Sequence, residues 1–123
     1  MSDESLALQT EQGMNDMLRS PSERPLVSVV IPTYKRAYLL KKAIVSALAQ
    51  EQVGELFEME IIVVDDCSPD DTAKVVAEFP GVQYLRLPEN RGASGARNAG
   101  IRRSAGKYVA LLDDDDEFLT HKL

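Results

Sequence analysis

Along the chain, short β-branched apolar runs alternate with stretches in which apolar residues recur every three to four positions, a pattern that predicts strands and helices in turn. Leu26-Val27-Ser28-Val29-Val30-Ile31, closed by Pro32, reads as a strand buried on both faces. Leu40, Ala43, Ile44, Ala47 and Leu48 then form one apolar helix face between Tyr38 and Gln50. A linker through Gly54 leads to a second strand, Ile61-Ile62-Val63-Val64. Ser68 is expected to cap the next helix, with Pro69 at its first position, Asp70 and Asp71 in its first turn, and Pro80-Gly81 stopping it after about ten residues. Val82 to Leu87 alternates apolar and polar, as for a strand near a sheet edge. After a loop at 88–92, Ala96 to Ser104 is expected to be helical, with Gly106 as its left-handed stop, and Lys107 to Leu112 forms the last strand.

The order β-α-β-α-β-α-β, with helices between strands, requires crossover connections. It predicts an α/β, Rossmann-like parallel sheet with alternating helices on its faces. Ligands of such sheets bind beyond the carboxyl ends of the strands. The polar groups gather there: Thr33-Tyr34-Lys35-Arg36, Asp65-Asp66, and the run Asp113-Asp114-Asp115-Asp116-Glu117.

Composition adds little to this picture until it reaches charge. The net charge is −6, but without the five acidic residues 113–117 it is −1, so the acidity is local and no basic surplus exists to bind nucleic acid. Adjacent carboxylates repel one another, an arrangement that makes sense around a cation, and hard oxygen ligands point to Mg²⁺, Mn²⁺ or Ca²⁺. The competing reading is a solvated helix cap, because Phe118-Leu119 could open a helix. Residues 1–24, rich in Ser, Glu, Gln and Asp without a sustained period, read as a flexible arm or a short docked helix, and 25–123 as the folded unit. No apolar stretch is long enough for a membrane span, and no secretory signal opens the chain, so a cytoplasmic location is expected. The single cysteine, Cys67, agrees with a reducing compartment.

One carboxylate of Asp65-Asp66 should emerge at the sheet's edge, where it can accept hydrogen bonds from a ribose hydroxyl or a base N–H, and Tyr34 can stack on a base. Asn90 to Asn98 combines small residues with Arg91 and Arg97 ahead of a helix, which suits phosphate approach through free N–H groups and a guanidinium. Two better-known phosphate motifs are excluded. Gly-x-Gly-x-x-Gly does not occur, and the segment from Gly100 to Lys107 has the wrong glycine spacing and Tyr108 where a P-loop needs Ser or Thr. His121 lies far from Cys67 and reads as a surface residue.

Residues 27–34, Val63-Val64-Asp65-Asp66-Cys67-Ser68, Asn90-Arg91-Gly92 with residues 96–100, and Leu112-Asp113-Asp114-Asp115-Asp116 together resemble the ordered motifs of family-two, GT-A-fold inverting glycosyltransferases. The resemblance implies a nucleotide-sugar donor, usually a UDP-sugar, bound with Mn²⁺ or Mg²⁺, and transfer to a sugar or lipid-linked acceptor. It implies that Pro32, Thr33 and Tyr34 border the nucleoside and that Asp66 contacts the base. Asp113 and Asp115 would form the metal-binding Asp-x-Asp element, with Asp115 favoured as the direct ligand and Asp114 beside the ribose or sugar. Arg36 and Arg97 complete the expected donor-binding set. Asp116 and Glu117 are expected near the metal or the helix end, and no residue is assigned as the catalytic base.

Two positions depart from the family's habit: Lys35 stands where Asn is common, and Cys67 where Gly is common. The chain also looks like the donor half alone, so weak nucleotide binding, no transfer by itself and pairing with a second copy as a homodimer are expected. The alternatives are a non-catalytic nucleotide- or metal-binding module and a phospho-receiver domain. The second fails because a receiver wants its acidic pair after the first strand.

Overall fold

The computed structural model describes residues 24–51, 53–120 and 122–123, so the expectations for the N-terminal arm through residue 23 and for His121 lie outside the described residues. Among the described residues, seven elements follow the expected order: β1 (Leu26–Thr33), α1 (Ala37–Leu48), β2 (Glu58–Asp65), α2 (Thr72–Ala77), β3 (Gln83–Arg86), α3 (Gly92–Arg103) and β4 (Tyr108–Leu111). The four strands form one parallel sheet in the order β3-β2-β1-β4. This is the expected α/β class, and β3 lies at an edge as its alternating pattern predicts.

Why β1 and β2 read as continuous apolar runs is plain from their packing. Val29 and Ile31 of β1, with Ile61 and Val63 of β2, meet Leu40, Ala43, Ile44 and Ala47 of α1 and Val76 of α2 on one face of the sheet. Val30, Ile62 and Val64 point the other way, against Ala96 and Ala99 of α3 and against Leu87. Both faces of the central strands are covered, so apolar residues dominate both.

Several local expectations need correction. β1 runs through Pro32, which was expected to end it. The Val30 carbonyl accepts from Leu112 N–H on the β4 side, and Pro32, two residues on, faces that same side after β4 has ended, so no partner requires its missing donor. Helix α2 is six residues rather than about ten, and Ser68 does not cap it. The Ser68 hydroxyl instead accepts Lys35 N–H at 2.9 Å, and Asp70 takes Thr72 N–H at 3.2 Å. Gly106 is not a left-handed stop, because only Gly54, Gly81 and Gly92 among the described glycines have positive φ. It is glycine for want of room: a Cβ there would lie 2.5 Å from Ser28 Oγ and 2.8 Å from Leu26 O.

Helix α3 starts at Gly92, four residues before the expected Ala96. No helix follows the acidic run among the described residues. Asp113 to Asp116 makes a turn, with Asp116 N–H on Asp113 O at 3.0 Å. The segment after it is pinned to α1, where Phe118 N–H donates to Ser46 Oγ at 2.9 Å and Gln50 Nε2 to Leu119 O at 2.6 Å. The helix-cap reading of the carboxylates therefore falls.

Candidate functional site

The carboxyl ends of β1, β2 and β4 and the start of α3 enclose a cleft of about 530 Å³. Pro32, Thr33, Tyr34 and Arg36 line it from the end of β1, Asp66 from β2, Arg97 from α3, and Asp113, Asp114 and Asp115 from the loop after β4. All nine residues singled out as donor or metal ligands thus border one cavity. Ala93 and Ala96 of α3 line it too, and their small side chains keep that wall close to backbone.

Asp66 is buried, and its carboxylate is anchored: one oxygen accepts Arg91 N–H at 2.7 Å and the other Gly92 N–H at 2.9 Å. Asn90 Oδ1 adds a second acceptor for Gly92 N–H at 3.2 Å. A carboxylate on the first N–H groups of a helix satisfies orphan donors and the positive end of the dipole. This explains the early start of α3. It also corrects the expectation that these N–H groups are free for phosphate, since Asp66 occupies the first of them. A carboxylate oxygen keeps a further lone pair, so Asp66 can still face a ligand from the cleft.

Asp65 beside it is fully buried and turned away from the cleft. It accepts Ser68 N–H at 2.8 Å, the Tyr84 hydroxyl, and Arg86 Nη1 at 3.5 Å. Burial, reinforced by the hydrogen bond to Asp65, pushes the Tyr84 phenol up to about 12, so it stays a donor to that carboxylate. Asp65, Tyr84 and Arg86 brace the turn that presents Asp66, a role with no local sequence signal because it joins residues about twenty positions apart. Asp70 performs a similar task between helices, taking Ala37 N–H at 3.2 Å. Partial burial pushes its carboxyl up, but the Thr72 hydroxyl and the N–H groups of Ala37 and Thr72 outweigh this and hold it below the usual range.

The acidic loop divides by burial. Asp114 is buried, with Thr33 Oγ1 donating to one oxygen at 2.8 Å and Arg36 Nη1 to the other at 3.3 Å. Asp113, Asp115 and Asp116 are exposed, and one oxygen from each lies within 4.8 Å of the others. Arg36 Nη1 also meets Asp115 at 3.1 Å, and Arg97 Nη2 meets Asp113 at 3.5 Å. Three hard oxygen donors so grouped suit a divalent cation, because ligand oxygens around Mg²⁺ or Ca²⁺ at ~2.1–2.5 Å stand up to ~5 Å apart. Asp116 is the member of this set that the Asp-x-Asp spacing alone does not single out.

The comparisons with known proteins agree on one family. Residues 28–123 match the family model described as Glycosyl transferase family 2. The succinoglycan biosynthesis protein ExoO of Rhizobium meliloti is 47% identical over 94 residues, which is 75% of this chain and 26% of ExoO. A beta-1,3-glucosyltransferase of Campylobacter jejuni that acts on GalNAc(5)-diNAcBac-PP-undecaprenol is 39% identical, over 80% of this chain and 32% of its own. The chain spans about a quarter to a third of the length of these two relatives. Among solved structures, S. aureus TarS 1-349 in complex with UDP has a TM-score of 0.69 at 27% identity, covering 77% of this chain and 29% of that one. The mannosyltransferase PcManGT of Pyrobaculum calidifontis, in complex with GDP-Man and Mn²⁺, has a TM-score of 0.66 at 25% identity, covering 91% and 35%. A parallel GT-A sheet carrying its carboxylates at the strand ends, together with a family match over most of its length, makes this chain a member of glycosyl transferase family 2.

Proposed function

We propose that the cleft binds a nucleotide-sugar donor, a UDP-sugar, for metal-dependent transfer with inversion to a sugar or lipid-linked acceptor. The observation that carries this is the convergence of Asp66, Arg97 and the acidic loop on one cavity, although they lie on three separate segments of the chain. Pro32 and Tyr34 would border the nucleoside, and Asp66 would accept from the base. Asp114, already oriented by Thr33 and Arg36, would face the ribose or sugar. Arg97 would pair with the diphosphate, where its planar fork suits phosphate oxygens.

Asp113 and Asp115, with Asp116 beside them, would hold a divalent cation, Mn²⁺ or Mg²⁺, whose chemistry is to neutralise charge on the departing nucleoside diphosphate. The acceptor hydroxyl would attack from the face opposite that leaving group, through an oxocarbenium-like state. As the bond from the anomeric carbon to the diphosphate breaks, the hydroxyl proton would pass to a base outside this set of residues. The E. coli relative WfgD is named for UDP-Glc and a diphosphoundecaprenol-linked acceptor with a β-1,3 product, which supports both the donor and the lipid-linked acceptor. Its β linkage is the one that inversion of an α-configured donor produces.

Calorimetric titration of UDP tests this directly. Binding is expected with Mn²⁺ present and is expected to be lost with EDTA, because the carboxylates otherwise repel a diphosphate. Asp115→Ala should weaken Mn²⁺ binding more than Asp116→Ala. Equal UDP affinity with Mn²⁺ and with EDTA would remove the metal role of Asp113 and Asp115, and the reverse order of the two variants would shift the ligand assignment to Asp116.

A further inference from the structure

The same guanidinium nitrogen of Arg36 sits 3.3 Å from Asp114 and 3.1 Å from Asp115, yet its two partners differ in freedom. Asp114 is buried and its other oxygen is taken by Thr33, so it cannot swing away from Arg36. Asp115 is half exposed, lies in the carboxylate group suited to a cation, and can turn. Arg36 stands at the residue before α1 with its backbone carbonyl accepting Leu39 N–H and Leu40 N–H from the first turn of that helix, so its backbone is held even though its head group is half exposed. Arg36 therefore has one permanent and one exchangeable carboxylate, beside the cavity that the diphosphate would enter.

We propose that Arg36 is a displaceable counter-ion. It neutralises Asp115 until a divalent cation takes that carboxylate, and its freed N–H groups then turn to the diphosphate while Asp114 keeps the head group in the cleft. The inference rests on the nucleotide-sugar reading and adds a consequence to it. The cation alone must displace an arginine, whereas the cation arriving with a diphosphate gives that arginine a new anion, so the two ligands bind cooperatively. Linkage makes the effect reciprocal: UDP tightens Mn²⁺ by the same factor by which Mn²⁺ tightens UDP.

The signature is a change of sign in one variant. Arg36→Gln should bind Mn²⁺ alone about threefold tighter, the scale of one half-exposed ion pair removed. It should bind UDP at saturating Mn²⁺ about tenfold weaker, having lost a charge-assisted contact to the diphosphate. Free Mn²⁺ is read by its electron paramagnetic resonance signal, and UDP, uridine and pyrophosphate by calorimetry; uridine affinity should not change and pyrophosphate affinity should fall with that of UDP. Arg36→Lys keeps the charge and should return Mn²⁺ affinity towards that of the unsubstituted protein. A melting temperature near that of the unsubstituted protein checks that each variant is folded. Mn²⁺ affinity unchanged or weakened in Arg36→Gln, or no Mn²⁺ binding by either protein, overturns the counter-ion role while leaving UDP binding to be judged on its own. Tighter Mn²⁺ binding with no UDP binding by either protein overturns the diphosphate role and the nucleotide-sugar reading together.

Discussion

Among the described residues, two hold their backbones in the left-handed region without being glycine: Lys35 at φ 56° and Cys67 at φ 66°. They are the two positions at which the resemblance implies Asn and Gly instead. Asn tolerates that region and Gly enters it freely, whereas Lys and Cys bear a Cβ clash there. The departures are thus conformational rather than chemical, and each lies on a turn beside the cleft. Cys67 has little to lose on replacement, since its sulfur makes only long contacts at 3.8 Å to Pro88 O and Arg86. Cys67→Gly is expected to stabilise the protein by about 1 kcal/mol, read from urea denaturation, because relief of the clash outweighs the added freedom of the unfolded chain. A loss of stability would mean that the sulfur contacts matter more than the backbone.

Among the elements, α3 decides the shape of the cleft, and Gly100 decides where α3 sits. A Cβ at Gly100 would lie 2.3 Å from Val30 Cγ1 and 3.0 Å from Val64 Cγ2, so the helix rests directly on the sheet. Its approach sets the positions of Ala93, Ala96 and Arg97 along the cleft wall. Gly100→Ala should push α3 outward at a cost of about 1–3 kcal/mol, the range for overpacking a tight contact. UDP affinity should fall with it, because Arg97 moves with the helix. Thermal unfolding and calorimetry on the same variant check both; full stability would show that the sheet yields at Val30. The glycine was legible in the sequence only as a family motif, since nothing local distinguishes close packing from a helix stop.

At the scale of the whole molecule, the sheet is fastened at the end remote from the cleft by Glu60. Its carboxylate accepts the Ser28 hydroxyl of β1, Gln83 Nε2 of β3 at 2.9 Å and Ala105 N–H, from the turn before β4, at 2.7 Å. Partial burial pushes this carboxyl up, but the Ser28 hydroxyl, Ala105 N–H and Gln83 amide outweigh it and hold the group below its usual value. A depressed folded-state pKa favours the ionised form in the native state. Its contribution is therefore complete above the unfolded-state pKa and is lost as pH falls through the folded value. Stability measured from about pH 6 down to about pH 3 should fall more steeply in the natural chain than in Glu60→Gln, which keeps the shape but cannot titrate. Parallel slopes would assign the acid sensitivity to other carboxylates, Asp70 first among them.

Hydrophobic periodicity by itself determined the number, order and type of the elements and the parallel sheet, because strand and helix repeats are local and crossovers between buried strands allow few arrangements. The motifs at the strand ends were legible for the same reason: a polar residue that ends an apolar run must emerge at the sheet's edge. Only the tertiary structure decided which hydrogen bonds those residues make. Thr33 and Arg36 meet Asp114 across 81 and 78 residues, and Asp66 caps a helix 25 residues on rather than the next one. Those pairings depend on the order β3-β2-β1-β4, which places the ends of β1 and β4 side by side. Ser68, a good cap by composition, does not hold that role because α2 begins only at Thr72, with Asp71 at the N-cap position, and its hydroxyl accepts Lys35 N–H instead. Local pattern sets what each segment can become, and the sheet order sets which distant donors and acceptors compete for the same side chain.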